Sequence, residues 1–97
     1  METKVLILKS GEKIICGFEE RDGDKENYYI EFPRVIASAK IDEKTKSLQI
    51  AYEAWCNSIV EDNIKISSDW VAVIAEAHID IKHNYEQCIM EYIKGLS

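Results

Sequence analysis

The stretch Leu8–Pro33 reads LKSGEKIICGFEERDGDKENYYIEFP, and it decides the fold class. Within it, Lys13–Phe18 places Ile, Cys and Phe at every second position, which is the period of a β-strand. Ser10-Gly11 and Asp22-Gly23 interrupt the apolar runs, and such pairs are typical of tight turns between antiparallel strands. The stretch therefore predicts consecutive β-strands joined by short turns.

The rest of the chain continues as short strands and ends in a helix. Pro33 interrupts a β-rich run, and because proline cannot donate to a β-ladder we expect a bulge, an edge or a bend there. The later segments predict a polar turn at residues 42–47, a strand at 48–55, a loop at 56–63, and a strand pair at 64–77 broken at Ser67-Ser68-Asp69. Apolar side chains then recur at helical spacing, and Gly95 is placed to cap the helix.

This order predicts one domain, residues 1–97, that is mainly β. Strands run from about residue 3 to 76, and a C-terminal helix runs from about 79 to 94. About five short strands with regular turns favour a small five-stranded barrel of the SH3-like or OB type, because closure removes unpaired edges. We expect the helix to cover one open end of the barrel, and free edges to lie near Pro33 and at the last strand.

Composition limits the classes of function. Acidic side chains outnumber basic ones by 18 to 12, and this excess, spread along the chain, weighs against broad nonspecific binding to nucleic acid while leaving room for a local basic patch. Cys16, Cys56 and Cys88 are far apart and form no C-x-x-C motif, so we expect reduced, mostly buried thiols in a cytoplasmic protein. The apolar run Val5–Leu8 is too short for a signal peptide, and no apolar stretch is long enough to span a bilayer.

Catalytic and metal-binding motifs are weak, and we predict neither an enzyme nor a cofactor. His78 and His83 are five residues apart, which does not place both on one helical face, so we expect two exposed histidines. Asp22, Asp24 and Glu26 alternate as calcium ligands do, but the later positions of a calcium loop hold the wrong residues. A solvated hairpin turn is the favoured interpretation, and a small metal-dependent enzyme is the alternative.

Aromatic residues leave two interpretations open. They are base-stacking platforms for single-stranded nucleic acid, or they are core and interface residues of short strands. The candidates are Tyr28, Tyr29, Tyr52, Trp55 and Trp70.

The opening stretch resembles the first motif of the Sm and Sm-like family, whose barrels assemble into rings that bind RNA. The matching positions are Leu8, Gly11, Ile14, Gly17, Asp22 and Asn27. The segment IKISSDWVAVI is similar to the second motif of the family, with Ser67-Ser68 where Arg-Gly is usual. Over nearly its full length the chain resembles a group of Sm-like proteins of cyanophage and marine origin, through LKSGEKII, PRVIA, YEAWC, IKISSDWVAVIAE and a helix at the C-terminal end.

This resemblance implies a homo-oligomeric, penta- to heptameric ring that binds single-stranded RNA, or DNA, in the cytoplasm of a bacterial host and acts in RNA or DNA processing. Subunits of such rings pair through the fourth strand of one copy and the fifth of the next, which here correspond to LQIAYEAW and DWVAVIA. No membrane partner is expected. The residues expected to bind nucleic acid are Asp22, Asn27, Ser67 and Ser68 for base edges and sugars, with Lys25, Lys44, Lys46 and Lys65 for phosphates. The alternative is a non-enzymatic protein-interaction or scaffold module that does not bind nucleic acid.

Overall fold

The computed structural model describes residues 1–55 and 63–95 as six strands followed by one helix. The loop predicted at residues 56–63, which includes Cys56, lies outside the described residues except for Asn63. The mainly β class and the C-terminal helix are confirmed. The elements are β1 (Glu2–Leu8), β2 (Lys13–Arg21), β3 (Asp24–Ile41), β4 (Leu48–Ala54), β5 (Asn63–Ser67), a 3-10 turn (Ser68–Trp70), β6 (Val71–Glu76) and α1 (Ile79–Gly95).

The strands form one antiparallel sheet in the order β4-β3-β2-β1-β6, and β5 pairs separately with β3. Among the described strands, β4 and β6 are opposite ends of this sheet and do not pair with each other, so the sheet is open. The predicted closed five-stranded barrel is therefore wrong. The reason is the length of β3, whose 18 residues pair with β5 in the first half and with β4 in the second, which holds β4 away from β6.

A bulge at Phe32-Pro33 divides β3 into these two halves. Glu31 pairs with Gly17 and Arg34 with Ile15, so two residues of β3 lie opposite the single residue Cys16 of β2. The ladder to β5 ends at Glu31 and the ladder to β4 begins at Arg34, so the missing N–H of Pro33 falls where no partner strand requires it. The predicted bulge is confirmed, whereas an edge at Pro33 is wrong because β3 is an inner strand.

The core lies beneath the first half of β3. Its buried members come from the first three strands, and half-buried side chains of the later elements pack against them. This packing accounts for the apolar residues at alternate positions on one face of β2, Ile14, Cys16 and Phe18. The buried residues are Leu6, Leu8, Ile14, Cys16, Phe18 and Ile30, and the packed ones include Trp55, Ile64, Ile66 and Val71.

Helix α1 is attached to the sheet through Tyr85, the side chain that is buried among the residues of this helix. The Tyr85 hydroxyl donates to the carbonyl oxygen of Phe32 at 2.8 Å, directly at the bulge. Asn84 accepts a second hydrogen bond from the hydroxyl of Tyr52 on β4, at 2.7 Å. In the described part of the chain, α1 and the 3-10 turn are the helical elements, and neither is long and apolar enough to cross a membrane.

The two described cysteines have different surroundings, and both are free thiols. Cys16 is buried in the core, and burial raises the pKa of its thiol to about 12. Cys88 is exposed, so the expectation of buried thiols is wrong for this residue. Helix α1 packs little of its surface against the sheet. Cys88 therefore contacts solvent, although it occupies a position at the spacing of the apolar residues of the helix.

Candidate nucleic-acid interface

The connection between β2 and β3 is a bulged turn, which we define as residues 21–29. Gly23 adopts a φ of 85°, a conformation that glycine reaches without a Cβ clash. The ladder passes from the pair Arg21 and Asp24 directly to Glu19 and Tyr29, so the residues between Asp24 and Tyr29 are displaced from β2. The predicted Asp-Gly turn is confirmed, and a bulge that the sequence did not predict follows it.

The carboxylate of Asp24 organises the bulged turn. It accepts hydrogen bonds from the side-chain amide of Asn27 at 3.1 Å and from the hydroxyl of Tyr29 at 2.5 Å. The Tyr29 hydrogen bond, followed by that of Asn27, lowers the pKa of Asp24, and the same contact raises the pKa of Tyr29. Asp24 and Asn27 are thus held in place by each other, while Asp22 lies exposed at the tip of the turn.

Arg21 supplies a cation that the sequence interpretation did not include. Its guanidinium carbon lies 3.7 Å from the centroid of the Tyr29 ring, within the range of a cation–π contact. The segment IKISSDWVAVI contains no arginine, and Arg21 places a guanidinium on the adjoining bulged turn instead. The Asp22-Gly23 turn pairs Arg21 with Asp24, and the register shift that follows pairs Tyr29 with Glu19, which brings the Tyr29 ring to Arg21. That register shift has no local sequence motif.

The Ser67-Ser68 turn meets the bulged turn. Ser67 pairs with Asn27 in the ladder between β3 and β5, and the hydroxyl of Ser68 lies 3.1 Å from the carbonyl oxygens of both Lys25 and Glu26. The oxygen of Ser67 accepts a hydrogen bond from the backbone N–H of Asp69. The structure therefore brings together the two turns that the sequence singled out, and the hydroxyl of Ser68 holds them there.

The four predicted lysines lie in two separate groups. Lys25 belongs to the bulged turn, and Lys65 lies opposite Tyr29 on β5. Lys44 and Lys46 lie in the turn between β3 and β4, at the far end of the 18-residue β3. All four are exposed, but only Lys25 and Lys65 lie near the predicted polar residues.

A cleft opens beside this region, and we call it the tryptophan cleft. It has a volume of about 440 Å³ and is lined by residues of the β1–β2 turn, β5 and the 3-10 turn. The indole N–H of Trp55 donates to the Glu12 carboxylate at 3.0 Å. The other lining residues that bear on binding are Leu8, Ser10, Lys65, Ser67 and Trp70.

The aromatic candidates divide between packing and exposure. Tyr28 packs against Phe18 with the ring centroids 5.0 Å apart, and Tyr52 packs edge-on against Tyr85 at 6.2 Å. Trp70, by contrast, is 60% exposed. Of the two open interpretations, packing describes Tyr28, Tyr52 and Trp55, which packs against the core, while Trp70 is mostly exposed.

The remaining candidates do not form a reactive site. His78 and His83 are exposed, as predicted. Asp22 and Glu26 point to solvent while Asp24 is engaged by Tyr29, and among residues 1–55 and 63–95 no cluster of three or more His, Cys, Asp or Glu side chains has a metal-binding arrangement.

The comparison with known proteins assigns no family. No family model matches the chain, and no curated protein matches it.

Proposed function

We propose that the protein is the subunit of an Sm-like homo-oligomeric ring that binds single-stranded nucleic acid, with RNA as its ligand, and that it acts without catalysis in the cytoplasm of a phage-infected bacterial cell. The observation that carries this proposal is the position of two strands. The segments that the family resemblance nominates for pairing between subunits contain β4 and most of β6, and these strands are the two ends of the path β4-β3-β2-β1-β6.

Each end strand has one side without a partner among the described strands. A free strand edge presents unpaired N–H and C=O groups that pair readily with another chain. When β4 of one copy pairs with β6 of the next, the same two edges are free again at the ends of the dimer. Repetition of this contact with a constant rotation closes a ring.

The exposure of apolar side chains on β6 fits a strand that a neighbouring subunit covers. Val73 is 46% exposed and Ile74 is 38% exposed, and these two consecutive residues point to opposite faces of the sheet. Apolar exposure on both faces of an end strand is typical of an association surface. A neighbouring subunit would cover it.

Binding to nucleic acid is supported by the junction of the bulged turn and the Ser67-Ser68 turn. Arg21, Lys25 and Lys65 lie on these adjacent segments and supply positive charge in a chain whose net charge is −6. One subunit offers few phosphate contacts, so its affinity alone is weak. A ring repeats the site in every copy, and linked sites bind with far greater avidity than a single one.

The ring is tested by the solution mass, measured by size exclusion with light scattering. We expect a multiple of 11.2 kDa for the natural chain and a monomer for Val73→Lys, because a lysine on an edge strand opposes pairing. Val73→Thr is the matched control, since it keeps the β-branched shape and should remain assembled. A natural chain that is a monomer at micromolar concentration contradicts the proposal.

The RNA role is tested by titrating the assembled protein with polyuridine at low salt. We expect binding that weakens as the salt concentration rises, because phosphate contacts release counterions. Absence of salt-sensitive binding at micromolar ring would remove the RNA role and leave the assembly in place.

A second candidate function is a scaffold that binds a basic protein segment. A groove of about 610 Å³ between α1 and the sheet is lined by Tyr85 and by acidic side chains that outnumber its one lysine, Lys82; the acidic residues are Glu2, Glu31, Glu76 and Glu86. The net charge of −6 favours a basic partner. An oligomer that ignores polyuridine but binds a lysine-rich peptide, with weaker binding in Glu86→Gln, would support this function instead.

A further inference from the structure

We propose that the tryptophan cleft is a nucleobase pocket that selects guanine. The inference rests on the proposed binding of single-stranded nucleic acid and names the chemical group that each subunit takes. It extends that function because the family resemblance names neither Glu12 nor a preferred base for this chain.

The cleft offers stacking surfaces on fixed supports. The Lys9 N–H donates to the carbonyl oxygen of Trp70 at 2.8 Å, which ties the 3-10 turn to the β1–β2 turn. The Trp55 indole is oriented by its hydrogen bond to Glu12. Since the Trp70 indole is 60% exposed and the cleft of about 440 Å³ lies within the size range of small-molecule sites, a planar base can enter and stack there.

The polar edge of the cleft determines which base fits. One Glu12 oxygen accepts from Trp55 and the other lies 3.3 Å from the hydroxyl of Ser10, and each carboxylate oxygen can accept a further hydrogen bond. A carboxylate only accepts, so the base must present donors. Guanine presents two adjacent N–H donors, at N1 and N2, that match the two oxygens, whereas uracil presents one N–H between two carbonyl oxygens that the carboxylate repels.

The other polar groups agree with this orientation. The oxygen of Ser67 accepts from the N–H of Asp69, and its own hydrogen is not used in that bond and can reach a base carbonyl. Lys65 lines the same cleft and is placed to bind the phosphate of the nucleotide. The presence of Lys65 also disfavours a cationic ligand between the two indoles, because like charges repel.

Intrinsic fluorescence reports on this pocket directly. The chain contains two tryptophans, Trp55 and Trp70, and both line the cleft. We expect saturable quenching of the assembled protein by guanosine monophosphate, weaker quenching by uridine monophosphate, and none by ribose 5-phosphate. Calorimetry with the same ligands gives the affinities of variants that lack a fluorophore.

Three variants separate the contributions, and circular dichroism verifies that each one folds. Trp70→Ala should weaken the affinity for guanosine monophosphate by about 5-fold to about 150-fold, which is the range for the loss of one base–aromatic stack. Glu12→Gln should abolish the preference for guanine over uracil while stacking remains. Lys65→Ala should weaken the binding of guanosine monophosphate but not of guanosine, and Lys40→Ala, near the far end of β3, should change neither.

The outcomes distinguish this pocket from the ring. The pocket is overturned if Trp70→Ala and Glu12→Gln leave the binding of guanosine monophosphate unchanged. It is also overturned if the oligomer binds polyuridine but none of the mononucleotides. Guanine binding in the cleft of a protein that ignores polyuridine supports the pocket while the polyuridine-binding role fails. Equal affinity for the two bases overturns the selectivity that we assign to Glu12.

Discussion

The attachment of α1 to the bulge in β3 makes Tyr85→Phe an informative substitution. The Tyr85 side chain is 3% exposed, and its hydroxyl donates to the carbonyl oxygen of Phe32 at 2.8 Å. Burial raises the pKa of this hydroxyl above its ordinary value, so it remains a protonated donor at neutral pH. Phenylalanine keeps the ring and its packing and removes only the donor.

The expected loss can be worked from this one contact. A typical intramolecular hydrogen bond contributes about 1 kcal/mol to stability, and an acceptor left unpaired adds a further desolvation cost. Phe32 has a φ of 47°, which is unfavourable for a bulky residue, so the bulge depends on such contacts to persist. We therefore expect the free energy of unfolding to fall by about 1–2 kcal/mol.

Urea unfolding followed by circular dichroism measures this loss, at one fixed protein concentration because assembly shifts apparent stability. Tyr52→Phe is the matched control, since it removes a hydroxyl bonded to Asn84 from a half-buried site and should cost less. The slope of the free energy against urea should stay the same in both variants. If Tyr85→Phe is no less stable than Tyr52→Phe, the bulge is not fastened by Tyr85.

Three further predictions concern the core and the charged surface. A Cβ on Gly17 would lie 2.5 Å from Cγ of Glu31, so Gly17→Ala should destabilise the protein by about 1 kcal/mol. In a chain that also carries Glu31→Ala, the same substitution should cost less. Equal costs with and without Glu31→Ala would refute the clash. Because burial raises the pKa of Cys16 from 9.0 to about 12, the unfolded chain loses this proton first as pH rises. Stability measured by urea unfolding should thus fall as pH rises above 9.0, by roughly 1 kcal/mol between pH 9 and 10 from this group, and Cys16→Ala should remove that loss. Lys25→Ala should lower the salt dependence of polyuridine binding, whereas Lys44→Ala should not, and equal effects would mean that nucleic acid reaches both ends of β3.

The elements that the sequence predicted are those with local signals. The turns at Ser10-Gly11 and Asp22-Gly23 require backbone conformations that glycine supplies, and Gly11 and Gly23 indeed have φ values of 95° and 85°. The helix repeats its apolar residues at a period that no strand shares. Such features depend on neighbours in the chain, so they can be read without knowing the tertiary structure.

The open sheet could not be predicted in the same way. Pro33 is acceptable inside a long strand only because β5 ends and β4 begins around it, and this depends on pairings between distant residues. The tryptophan cleft has the same origin, since Glu12, Trp55 and Trp70 come from separate segments that meet only in the fold. The exposure of Cys88 likewise follows from how little of α1 the sheet covers.

The ribbon formed by the second half of β3 and by β4 makes a suitable handle for labelling. Residues 37–41 are exposed on both faces, and the turn that follows closes on itself through the N–H of Lys46 and the carbonyl of Asp42, 2.7 Å apart. A fluorophore attached at Lys44 would thus lie far from both the core and the tryptophan cleft. Because strand side chains alternate with a period of two, removing two residues from each strand would shorten the ribbon without reversing its faces.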